Sequence, residues 1–223
     1  MSGVAVDVIG YGLAAGLSVL AVLVTLTILT SDDPQRNGLV FFAGFALAAT
    51  GVGLVVVILG SIATVDEREP VLLILLKLAL GGLLLGTAWH ERPGRERGEG
   101  GSERLKTLLG RLEGLTPRAA FSIGLVLAVA PKRLAISIMA ALTIGTAALT
   151  TAESLVLLAL YIGLLSAPIW ILLLGYALAG RRADRAAAEA KQWVIAHAHP
   201  IAFLVSLTFG VLFTLQAVAE LVT

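Results

Sequence analysis

Residues 125–137 read Leu-Val-Leu-Ala-Val-Ala-Pro-Lys-Arg-Leu-Ala-Ile-Ser, which sets a helix breaker and two permanent cations inside a run otherwise fit for lipid. Proline lacks a backbone donor and clashes one turn back, so Pro131 frees carbonyls around Leu127. Lys132 lies 13 residues past Ala119, roughly 20 Å along a helix, near the middle of a bilayer. A cation at that depth costs about 2.5–3.5 kcal/mol on the insertion scale and faces a bundle interior or a watery cavity. One cation can satisfy the freed carbonyls. Adjacent helical positions project about 100° apart, so that task does not explain both. The chemistry this pattern suits is electrostatic capture of a phosphate, sulfate or carboxylate. Pro131, Lys132 and Arg133 are therefore the candidate substrate-binding residues.

The carboxylates in or near apolar runs are Asp7, Glu153 and Glu220, all towards the other end of those runs. Lys77 sits about two turns into its own run, within reach of Asp7 or Glu220. Asp7, Lys77 and Glu220 are candidate gating ion pairs. No catalytic signature is present. Neither G-x-S-x-G nor a glycine-rich phosphate loop occurs, so the chain reads as no enzyme. His197 and His199 point apart on a helix, and without cysteine no further metal ligands are supplied, so neither a metal nor a cofactor is expected. The net charge of +1 gives no reason to expect nucleic acid.

The elements that must position these residues follow from composition. The chain is 58% hydrophobic and 14% charged, against about 45–50% and 25% in soluble domains. This excess must face lipid. The expected fold is all-α, a single polytopic membrane domain with six transmembrane helices at about 4–30, 39–63, 71–89, 119–144, 154–178 and 201–221. Of sixteen Lys and Arg, twelve lie in the first, third and fifth connections, and Arg68 alone lies on the other side. The positive-inside rule then puts both termini outside a bacterial inner membrane. A re-entrant hairpin at Pro131 would move the Arg181–Lys191 cluster outside, against that rule.

The cytoplasmic loop 90–118 carries Leu105, Leu108, Leu109, Leu112 and Leu115 at helical spacing among basic residues, the pattern of an amphipathic surface helix. Residues 186–197 repeat the idea, with Trp193 and Ile195 reaching the interface. Placing Gly12 over Gly124 aligns 12–19 with 124–131, and residues around Gly44 resemble those from Leu160. Three crossings reverse a chain, so such a repeat is two inverted three-helix units, a transporter pattern. Gly12-Leu-Ala-Ala-Gly16 and Gly82-Leu-Leu-Leu-Gly86 fit the small-xxx-small rule and would suit a homodimer face.

Pro117-Arg-Ala-Ala-Phe-Ser-Ile-Gly124 leading into Ala130-Pro-Lys-Arg133, Arg36-Asn-Gly-Leu-Val-Phe-Phe-Ala-Gly44, and Lys191-Gln-Trp-Val-Ile-Ala-His-Ala-His-Pro200 together resemble the actinobacterial glycopeptidolipid- and sulfolipid-addressing proteins. That family is a branch of the lysine-exporter superfamily, and the likeness covers nearly the whole chain. Its break reads close to Asn-Pro-Lys-Asn, so Pro131 and Lys132 match while Ala130 and Arg133 depart, and Val19 stands where a proline is expected. The resemblance implies inner-membrane export of cell-envelope glycolipids. Three readings follow. The chain exports an anionic lipid or small anion, it is a non-transporting accessory to lipid-synthesis or export proteins, or it carries a small cationic or neutral solute. The last would need a midplane acid, which the sequence does not show.

Overall fold

In the computed structural model, residues 2–63, 69–90, 115–179 and 183–222 are described, and every regular element among them is a helix. They are α1 (Ser2–Gly16), α2 (Val19–Leu29), α3 (Pro34–Ala63), α4 (Glu69–His90), α5 (Pro117–Ala128), α6 (Pro131–Thr146), α7 (Thr151–Ala179), α8 (Ala183–Ala196) and α9 (Ala198–Val222). The surface helix expected in the third loop falls, apart from Leu115, outside the described residues.

Apolar side chains crowd the outside as well as the core. Leu47, Val156, Leu215 and Leu178 are 61%, 65%, 64% and 86% exposed. A water-soluble surface does not tolerate such a coat, and a bilayer requires it. The chain is a polytopic membrane protein. The helices α3, α7 and α9 are each long and apolar enough to cross a membrane alone. Two bent pairs, α1 with α2 and α5 with α6, have the length and composition to make up to two more crossings if each pair is one span, and α4 is apolar from Ile74 to Trp89.

Those pairs are where the structure departs from the expected continuous spans. The α5–α6 axis turns by 62° at Val129–Ala130, and α1–α2 turns by 55° at Leu17–Ser18. Turns of this size redirect a chain without reversing it, as a re-entrant hairpin would. Pro131 accounts for the second break. The first has no proline. Its cause is close packing: a Cβ on Gly16 would lie 2.6 Å from the Leu164 carbonyl oxygen, so glycine alone lets α1 end against α7. Ser18 then turns extended and opens α2.

The two breaks are equivalent. Gly16 and Ala128 end α1 and α5, and Val19 and Pro131 open α2 and α6, with the separation of Gly12 from Gly124 in both cases. Gly12 presses on Leu164 and Tyr161 of α7, while Gly124 presses on the Phe41 and Phe45 backbone of α3. Helices α3 and α7 thus cradle opposite broken spans, and α4 packs along α9. The Gly12–Gly16 pair is consumed inside the chain, whereas Gly82 and Gly86 face open space. The core joins Tyr11, Phe41, Phe45, Ile136, Tyr161 and Phe213. Outside it, α8 lies on α2 through Ala187, Leu26 and Leu29, with Trp193 57% exposed.

Candidate functional site

Both breaks open on one cavity of about 450 Å³. Its walls include Ala15, Ser18 and Val19 from the first break and Pro131, Lys132 and Arg133 from the second, with His199 from α9. Among the described residues that line it, none is acidic. Two helices begin here. First-turn amides have no intrahelical acceptor. Neither Ser18 nor Ala130 caps them with a side chain, so the positive ends of α2 and α6 converge on the same space.

The two cations divide their tasks. Arg133 is 4% exposed, and its Nη1 donates to the Leu127 carbonyl at 2.7 Å, the region that the proline frees. Its Nε donates to the Ala15 carbonyl at 3.2 Å, and its guanidinium lies 5.0 Å above the Phe45 ring. The buried Nη2 has no hydrogen-bond partner among the described residues. The adjacent Lys132 is half-buried, and its Nζ donates to Ser206 Oγ of α9 at 2.8 Å. Carbonyl capping therefore falls to Arg133, while Lys132 spans to the neighbouring helix.

Sequence reasoning placed Pro131, Lys132 and Arg133 together but missed Ser18, Ser206 and His199. Ser206 had a signal, a lone hydroxyl in the apolar run Phe203-Leu-Val-Ser-Leu207. Ser18 and His199 had none, because their place depends on the first break and on how α9 meets it.

Away from the cavity, Lys77 Nζ lies 3.3 Å from Asp7 Oδ2, both side chains largely buried, and Gln216 Nε2 reaches Asp7 Oδ1 at 3.5 Å. This cluster ties α1 to α4 and α9. The Glu220 side chain, expected with them, lies outside the described residues. His197 stacks on Trp193 at 4.6 Å and bonds its backbone carbonyl oxygen at 2.8 Å. Among the described residues no group of three or more His, Asp or Glu side chains comes together to hold a metal.

A partly open space with two cations, two helix N-termini and no acid among its described lining residues can hold an anion and repels a cation. At about 450 Å³ it suits a headgroup-sized species, within the range of small-molecule pockets. No curated protein and no solved structure matches the chain. The family model described as Sap, sulfolipid-1-addressing protein, matches residues 8–219.

Proposed function

We propose, for a chain that belongs to the sulfolipid-1-addressing (Sap) family, a role in moving an anionic lipid or small anion across a bacterial inner membrane. The anionic group binds at Lys132 and Arg133, between the Leu17–Ser18 and Val129–Ala130 breaks. The observation that carries this reading is that Lys132 and Arg133 line one cavity with no acid among its described lining residues, while Arg133 Nη2, itself buried, has no hydrogen-bond partner among the described residues. An arginine held by two carbonyls keeps a donor in reserve, and an oxyanion is its natural acceptor. Preformed helix N-termini add to the attraction at no cost in reorganisation.

On this reading only the headgroup enters the cavity and the tails stay in the bilayer. The chain needs no chemistry of its own, and its termini lie outside. The Asp7–Lys77 pair serves as a gate that fastens α1 to α4 while the cavity is closed from outside. A family named for addressing also fits a second part, docking to a lipid-synthesis or export protein.

Native mass spectrometry of purified wild type, Lys132→Gln and Arg133→Gln tests the reading. Wild type is expected to retain an anionic ligand that both variants lose. Identical spectra from three folded proteins would overturn it and leave the accessory role.

A further inference from the structure

A second cleft, of about 250 Å³, lies between Leu76, Leu80 and Leu83 of α4 and Ala135, Ile138 and Met139 of α6. Among the described residues that line it, none has a polar side chain. Helix α6 is shared by both clefts. At about 100° per residue, Lys132 projects about 20° from Met139 and about 40° from Ile136, and these line the apolar cleft and the cationic cavity respectively. Lys132 therefore stands on the border. From it the apolar cleft runs along α6, with Ala135 about 4.5 Å and Met139 about 10 Å further on. Lys132 also bonds Ser206 of α9, the helix that packs along α4, the opposite wall.

We infer that the two clefts form one amphiphile site, with the anionic group at Lys132–Arg133 and a single acyl chain in the α4–α6 cleft. The inference rests on the anion reading above and narrows it from any anion to a lipid. The small side chains of Ala79 and Ala135 open the cleft between helices otherwise rich in Leu and Ile. The cleft is no drier than lipid, so burial there adds no hydrophobic gain over the bilayer. Its contribution is register: it fixes where a chain leaves the headgroup. With the termini outside, the headgroup lies on the cytoplasmic side and the chain points outward. That is how an inner-leaflet lipid is oriented before transfer.

The test uses phosphatidylcholine nanodiscs and three probes: palmitoyl lysophosphatidate, glycerol 3-phosphate, which has its headgroup alone, and palmitoyl lysophosphatidylcholine, which has its chain under a zwitterion. Joining head and chain in one molecule is expected to make lysophosphatidate bind wild type at least about tenfold more tightly than either other probe. Ala135→Phe, and independently Ala79→Phe from the other wall, should bring lysophosphatidate down to the level of glycerol 3-phosphate and leave glycerol 3-phosphate unchanged. Two walls guard against one variant failing to fold, and thermal unfolding checks each. Lysophosphatidate binding as tightly to both folded variants as to wild type overturns the acyl site and spares the anion site. Lysophosphatidate and glycerol 3-phosphate binding Lys132→Gln as well as wild type overturns the anion reading itself, and the acyl site with it.

Discussion

Arg133 Nε donates to the Ala15 carbonyl at 3.2 Å, so the cation that follows one break holds the end of α1 before the other. Its partner bond to Leu127 closes the same clasp from the second span.

Arg133→Met should be the more damaging of the two cation removals. It removes the side-chain donor of the Ala15 carbonyl and the shortest donor of the Leu127 carbonyl, which keeps its backbone donors, at about 1–3 kcal/mol for a group left unsatisfied. Lys132→Met removes the side-chain bond to Ser206, and the loss of that bond should cost about 1 kcal/mol. Thermal unfolding in one detergent ranks them. Equal losses would mean that the clasp holds the fold no more strongly than the Lys132–Ser206 bond.

The glycines provide a matched pair. A Cβ on Gly124 would strike the Phe41 carbonyl oxygen, whereas one on Gly51 meets nothing. Gly124→Ala should destabilise by about 1–3 kcal/mol through overpacking. Gly51→Ala should stabilise its helix by up to about 1 kcal/mol. Melting temperatures that move in opposite directions are expected.

Asp7 and Lys77 should show strong coupling in a double-mutant cycle. Losing either partner breaks a largely buried ion pair, at up to about 3–5 kcal/mol. Asp7→Asn with Lys77→Met should recover most of that loss. Additive single effects would show that the pair contributes little to the fold.

Val19 opens α2 where Pro131 opens α6. The first helical position suits proline, whose missing N–H has no intrahelical acceptor there in any case. Val19→Pro should leave stability unchanged or raise it by up to about 1 kcal/mol. A marked fall would mean that the two breaks are not equivalent.

The helical membrane fold was legible because its cause is local, in apolar runs and the absence of strand alternation. Pro131 announced its own break. The break at Ser18 was hidden, because what ends α1 is the Gly16 backbone meeting α7, a contact across 148 residues from Gly16 to Leu164. The repeat register is visible in Gly12 and Gly124, yet Val19, standing where a proline is expected, gives no local sign of a kink. Lys132 and Arg133 were readable as unusual residues, but not which would cap carbonyls. That depends on side-chain direction about α6 and on the position of α9, which supplies Ser206.

The Arg133 clasp also constrains synthesis. Ala15 leaves the ribosome 118 residues before Arg133, and lipid offers its carbonyl no donor in the meantime. The first broken span is therefore inserted before the residue that completes it exists. It must wait, half-finished, for the second half of the chain to arrive. The two repeats, though built alike, do not mature as independent units: the earlier one is completed by the later.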